Sequence, residues 1–231
     1  MSLKERRPNM KGIFVAGTDT DVGKTFISAL LIQALKQNSI NPYYYKPVAS
    51  GGSADIDAVQ HLGELDNLKS SCPIIFETPC SPHLASEIEK CIIDKDRMKE
   101  DCQQVLKSND YTLIEGAGGV IVPIHRDGFD LYELMKEVDL PVVLVTRTGV
   151  GTINHTLLTL EFLKLKNIKV SGIIFNGYQG GRFEDDNIHF IEKRTSLPIL
   201  GVVPKVQDEL TPMKMKQIAT EYLNGQMHHI M

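Results

Sequence analysis

The chain has 231 residues, of which 42% are apolar and 23% charged, and its formal net charge is −4. That length and composition suit one α/β domain with a sizeable core and exclude a disordered chain. The acidic balance argues against sequence-independent nucleic-acid binding, and no apolar run approaches the roughly 18 to 20 residues that would span a bilayer.

The first ten residues, MSLKERRPNM, are charged and carry no signal-peptide core, so residues 1–10 read as a tail, with Met10 an alternative start, on a cytoplasmic protein. From residue 11 onward β-branched runs alternate with amphipathic ones. Strands are predicted at Gly12–Ala16, Tyr43–Pro47, Tyr111–Glu115, Val142–Thr146, Val170–Phe175 and Ile199–Val203. Helices are predicted at Thr25–Gln37, Asp55–Leu62, Asp96–Leu106, Ile153–Lys166 and Asp185–Arg194, with a last one near Lys214–Leu223. Met98, Cys102, Val105 and Leu106 recur at helical spacing and form one core-facing stripe. The alternation predicts a single α/β domain over 11–231, three-layered, with a mostly parallel sheet covered by helices on both faces. Ligands of such sheets bind beyond the carboxyl ends of the strands. The four cysteines, Cys72, Cys80, Cys91 and Cys102, form no CxxC pair and read as reduced, and His228 and His229 read as a solvated tail.

The unusual residues stand just after the apolar runs. GTDTDVGKT (Gly17–Thr25) lies between a strand and a helix, the context of a phosphate-binding loop. The usual spacing begins at Thr18, so Gly17 lies outside the motif, and two acids, Asp19 and Asp21, lie inside it. At least one of them must turn away from the phosphates. Lys24 is placed to reach the terminal phosphates, and the Thr25 hydroxyl to ligand Mg²⁺. Lys46 closes a strand and suits neutralisation of a transferring phosphoryl group. Asp55 or Asp57 can approach the metal, and Asp55 also suits a helix cap. Glu115 ends an apolar strand before a Gly-rich turn, where a hard oxygen ligand of Mg²⁺ belongs. Gly149 and Gly151 precede Thr152, Ile153 and Asn154, whose helix N-terminus is a second anion site. His155 reads as structural. Asn176 ends a strand and can read a nucleobase edge.

Five segments in order, GTDTDVGKT, YKPVASG (Tyr45–Gly51), EGAGG (Glu115–Gly119), GTINHTLLT (Gly151–Thr159) and FNG (Phe175–Gly177), resemble the dethiobiotin synthetase family over about residues 10 to 206. The resemblance implies a P-loop NTPase fold and an ATP- and Mg²⁺-dependent cyclo-ligase of biotin biosynthesis. Its substrates are 7,8-diaminononanoate and carbon dioxide, joined through a carbamate and a carbamic–phosphoric mixed anhydride. It implies Lys24, Lys46 and Thr20 as catalytic residues and Thr25, Asp57 and Glu115 as metal ligands. Nucleotide contacts fall on Asp21, Val22, Gly23, Lys24, Thr25 and Phe26, then on Asp57, Glu115, Gly116, Ala117 and Gly118. Adenine contacts fall on Asn176, Gly177, Pro204, Lys205 and Val206. Thr20, Lys46 and Ser50 match positions that meet the carbamate or diamine. Gly151, Thr152, Ile153 and Asn154 of a second subunit hold the substrate carboxylate, which implies a homodimer. Gly177 replaces an acid often found after the Asn, and Glu209 follows GVVPKV in an open register, so base preference stays open. Two other readings are a dimeric P-loop switch ATPase and a catalytically silent relative. The first lacks its usual second lysine, since none precedes Lys24 in the loop, and the second would have lost Lys24, Lys46 or Glu115.

Overall fold

A computed structural model describes residues 12–231, so the tail read over 1–10 lies outside the described residues. The elements run β1 (Gly12–Gly17), α1 (Lys24–Gln37), β2 (Tyr43–Tyr45), β3 (Ala49–Ser50), α2 (Ala54–Gly63), β4 (Ser70–Ser71) and β5 (Ile75–Phe76). They continue α3 (Pro82–Ile88), α4 (Lys95–Ser108), β6 (Thr112–Glu115), β7 (Pro123–His125), β8 (Phe129–Asp130) and α5 (Leu131–Val138). The last are β9 (Val142–Thr146), α6 (Thr152–Leu165), β10 (Val170–Tyr178), α7 (Arg182–Thr195), β11 (Ile199–Pro204) and α8 (Pro212–Tyr222).

Seven strands form one sheet in the order β11-β10-β9-β1-β6-β2-β4, every pair of it parallel. Successive residues of β1 alternate between two cores: Ile13 and Val15 pack with α1, α2 and α8, while Phe14 and Ala16 face α4, α5 and α6. A strand buried on both faces has to be apolar throughout, which is why GIFVA reads as an unbroken run. β1 pairs with β9 on one side and β6 on the other, so the chain reverses direction across the sheet there, and a crevice opens at the carboxyl ends.

All six predicted strands and all six predicted helices are present, with ends shifted by a few residues. The predicted α4 stripe is core, with Met98, Cys102 and Leu106 buried and Val105 packed against them. The sequence reading missed β3, β4, β5, β7, β8 and α3, all too short for a pattern to accumulate, and α5, whose Leu131, Leu134, Met135 and Val138 do recur at helical spacing. For α5 a local signal existed: Asp130 and Glu133 form a reciprocal capping box, with the Asp130 N–H donating to Glu133 Oε2 at 2.8 Å. The cysteines are free thiols. His228 is exposed, as read, and His229 half-buried, but the tail reading needs correction, because residues 224–229 form a 3-10 segment packed on the core. Met227 and Ile230 are buried in the core, and Tyr111 Oη donates to the Ile230 carbonyl. Apolar residues three apart place both side chains on one face of that segment. His155, read as structural, is exposed near the start of α6.

Candidate active site

Three adjacent strands deliver the site. The register sets Val15 beside Glu115 and Tyr45 beside Ile114. The loop after β1, Lys46 after β2 and Glu115 at the end of β6 therefore emerge side by side.

The loop folds tightly over its own lysine. A Cβ on Gly17 would stand 2.8 Å from Val22 Cγ2 and 3.1 Å from Lys24 Nζ, so glycine is required one residue ahead of the usual motif. Gly23 enters α1 at φ +91°, and a Cβ there would lie 2.1 Å from Asn176 Nδ2. Of the two loop acids, Asp19 turns back on the chain and accepts from the Thr20 N–H at 2.7 Å. Asp21 is exposed at the cleft edge, in the left-handed region at φ +56°. Lys24 Nζ donates to the Asp19 carbonyl at 3.1 Å.

The floor is an ionic cluster. Lys46 is 3% exposed and Glu115 0%. Lys46 Nζ lies 3.0 Å from Glu115 Oε1 and also pairs with Asp55. Glu115 accepts from Thr25 Oγ1 at 3.0 Å and from Tyr44 Oη at 3.0 Å, so every visible partner of this buried carboxylate is a donor. Burial alone would depress the Lys46 pKa, but Glu115 and then Asp55 outweigh it and hold the ammonium above its usual range. Asp55 is held below the carboxylate range: burial opposes this, and the Lys46 charge together with hydrogen bonds from Lys46 and Thr25 wins. Lys24 goes the other way, lowered by burial and by Lys46, with Glu115 only partly compensating. Burial, followed by Glu115, pushes the Tyr44 phenol well up, so it remains a donor.

These groups line a cleft of about 830 Å³. The cleft brings together Thr20, Asp21, Gly23, Lys24, Thr25, Lys46, Ser50, Glu115, Gly116, Ala117 and Gly118, all expected from the sequence. Ser50 Oγ is buried without a hydrogen-bond partner. Val22 and Phe26 stand behind the loop in the core. Asp57 is outside the cleft, its Oδ2 accepting from Ser53 Oγ at 2.7 Å. Asp55 stands in its place. Two residues apart on a helix lie about 200° apart around its axis, so α2 can turn only one of them inward. Nor does Asp55 cap α2, whose N-cap is Ser53.

Asn176, Gly177 and Pro204–Val206 stand at the ends of neighbouring strands, where Tyr178 pairs with Pro204 and the Lys205 N–H donates to the Tyr178 carbonyl at 2.8 Å. Asn176 Nδ2 donates to the Val22 carbonyl at 2.9 Å, which fixes the amide against the loop. Gly151–Asn154 begin α6 and do not line the cleft of their own chain.

Sequence reasoning missed the far wall, Pro79–Pro82 with Val122, and the guanidinium of Arg147, which donates to the Thr20 and Asp21 carbonyls at 3.3 and 3.0 Å. The wall carries no charge or spacing signal; its small polar residues between two prolines, TPCSP, were the one available hint.

Among the described residues no group of three or more His, Cys, Asp or Glu side chains gathers as a metal centre. The donors that do converge, the Thr25 hydroxyl and the Asp55 and Glu115 carboxylates, are hard oxygens. They suit Mg²⁺, which keeps several waters and takes one or two carboxylates.

The family model described as an AAA domain matches residues 11–214. The chain is 38% identical over 205 residues to ATP-dependent dethiobiotin synthetase BioD of Anoxybacillus flavithermus, covering 84% of this chain and 92% of that one. It is 40% identical over 215 residues to that of Fusobacterium nucleatum, covering 90% and 97%. Among solved structures, the MinC:MinD cell division protein complex of Aquifex aeolicus superposes with a TM-score of 0.57 at 13% identity, covering 91% of this chain and 94% of that chain. A ParA family ATPase from Chlorobium tepidum superposes with 0.56 at 17%, covering 92% and 99%. These two likenesses establish the P-loop NTPase fold and nothing finer. With relatives this similar spanning most of its length and the P-loop fold beneath them, the chain belongs to the family of ATP-dependent dethiobiotin synthetases.

Proposed function

We propose that this chain joins carbon dioxide to 7,8-diaminononanoate and closes the ureido ring of dethiobiotin, converting ATP to ADP and phosphate, as a cytoplasmic homodimer. The observation that carries this reading is the convergence of two buried lysines, two carboxylates and a phosphate loop at the ends of β1, β2 and β6.

One substrate amine adds to carbon dioxide and loses a proton, giving a carbamate. A carbamate oxygen attacks the γ-phosphorus of ATP as the bond to ADP breaks, leaving the mixed anhydride. The second amine then attacks the carbonyl carbon, the carbon–oxygen bond to phosphate breaks, and a proton is released. Two anions must approach each other in the middle step, so positioning and charge neutralisation are the main demands. Lys46 is charged throughout the physiological range and fixed at the cleft floor by Glu115 and Asp55, where it suits the carbamate and transferring phosphoryl. Lys24, poorly compensated by the carboxylates around it, gains most from an incoming polyphosphate. Ser50 Oγ, lacking a partner, and Thr20 are available to the diamine and carbamate. Asn176 retains Oδ1 as an acceptor for an exocyclic base amine.

Mg²⁺, when bound, would neutralise phosphate charge, and Thr25, Asp55 and Glu115 would hold it, Asp55 replacing the expected Asp57. The first turn of α6, Gly151–Asn154, would seat the substrate carboxylate for the partner's cleft. An active monomer in light scattering would overturn the dimer.

The test is phosphate release from Mg·ATP with bicarbonate, with and without 7,8-diaminononanoate. Release requiring both diamine and dissolved carbon dioxide, matched one-to-one by a cyclic urea, is expected. Release indifferent to the diamine would overturn the reading, and competition among ATP, GTP and CTP reads the base preference.

A further inference from the structure

β9 ends on Thr146, whose buried hydroxyl sits between the phosphate loop and α6. Thr18 Oγ1 donates to Thr146 Oγ1 at 3.3 Å. Thr146 Oγ1 lies 3.1 Å from Thr152 Oγ1 and 2.8 Å from Thr156 Oγ1. Thr152 Oγ1 in turn donates to the Arg147 carbonyl at 2.6 Å. A hydroxyl carries one proton and accepts two, so the directions follow. Thr152 spends its proton on Arg147, so Thr146 donates to Thr152 and accepts from Thr18 and Thr156. Thr146 is saturated, and Thr146, Thr152 and Thr156 are buried, while Thr18 is half-buried at the loop end of the chain.

The next residue completes the link. The Arg147 guanidinium holds the Thr20 and Asp21 carbonyls from outside the loop. In a planar trans peptide the following N–H points opposite to the carbonyl. Gripping these two carbonyls therefore aims the Asp21 and Val22 N–H groups away from Arg147 and holds Asp21 in its left-handed conformation. On the far side, Asn187 Nδ2 donates to the Thr148 carbonyl at 2.9 Å and fixes the segment leading to Gly151.

We infer that Thr146 and Arg147 are positioning residues that tie the phosphate loop to the first turn of α6, so that nucleotide and diamine bind with linked affinities. This rests on the reading of the α6 turn as the seat of the substrate carboxylate. Because that carboxylate belongs to the diamine in the partner's cleft, the link runs between the two clefts of the dimer. Linkage is reciprocal: whatever the diamine does to nucleotide affinity, nucleotide does to diamine affinity.

The experiment is calorimetry of the full chain with the magnesium complex of a non-hydrolysable ATP analogue, with and without 7,8-diaminononanoate. In the wild type the diamine tightens the analogue by about 5-fold or more, the lower end of such couplings. Thr146→Val and Thr18→Ala, which cut the same link from two sides, bring that factor to about one; Thr146→Val leaves binding of the analogue alone within about 2-fold, and Thr146→Ser restores the coupling. Arg147→Met, which loses both hydrogen bonds to the loop, weakens the analogue about 5-fold or more without diamine, at least the value of one hydrogen bond. A wild-type coupling factor in folded Thr146→Val and Thr18→Ala overturns the link alone. Unchanged analogue affinity in Arg147→Met overturns the clamp. A wild type that binds the analogue and takes up no diamine overturns the reading of the α6 turn, and the coupling with it.

Discussion

Lys24 and Lys46 are both buried cations of one cleft, yet the fold treats them oppositely. Lys46 sits between two carboxylates, and its raised pKa means that folding favours its charge. Lys24 donates to a neutral carbonyl, and its lowered pKa means that folding opposes its charge. Lys46→Met should therefore abolish turnover and also destabilise the fold by about 3–5 kcal/mol, because Glu115 is left buried without its counter-charge. Lys24→Met should abolish turnover and leave the urea midpoint unchanged or higher. Equal destabilisation by both variants would contradict the assignment. The pair also sets a pH window. The Asp55 contribution is present above the ordinary value of 3.8 and lost as pH falls through its lower folded pKa. The Lys46 contribution is present below 10.5 and lost as pH rises through its higher folded pKa. The stability difference between wild type and Asp55→Asn should therefore be flat from pH 5 to 9, measured by urea unfolding.

At the scale of elements, α2 decides which acid serves the cleft. Asp55 and Asp57 are equivalent as letters, and they separate only when a helix of known rotation is packed with its apolar residues, Ile56 and Val59, inward. Asp55→Asn should lower turnover by about 10²-fold or more, on the scale of disturbed metal ligation, and Asp57→Asn should change it little. A loss confined to Asp57→Asn would reverse the assignment. α4 offers a control away from the chemistry: Asp94 accepts from the Asp96 and Arg97 N–H groups at 3.0 Å each. Asp94→Ala should cost about 1 kcal/mol in urea unfolding with turnover intact. The short elements that the sequence reading missed, β3, β4, β5, β7, β8, α3 and α5, are those whose formation depends on what they pack against. α3 nevertheless begins at the wall that closes the cleft.

At the scale of the whole molecule, the C-terminal segment is a clasp across the sheet, with Met227 and Ile230 in the core formed by α1 and α8. Ile230→Ala should cost about 2–5 kcal/mol, read as a lowered urea midpoint. A solvated tail would show no change. By itself the sequence determined the alternation of strands and helices, the two-faced burial of the sheet, the strand-end positions of Lys46, Glu115 and Asn176 and the place of Lys24 at the start of α1. Those features are local: they are written in periodicity, in turn residues and in what directly follows an apolar run. Only the tertiary structure decided that Asp55 rather than Asp57 faces Lys46, that Pro79–Pro82 wall the cleft, and that Thr18 and Thr146 meet across 128 positions of chain. Such contacts follow from strand order and helix rotation, which arise when distant segments compete to bury their apolar faces, and no spacing along the chain records the outcome.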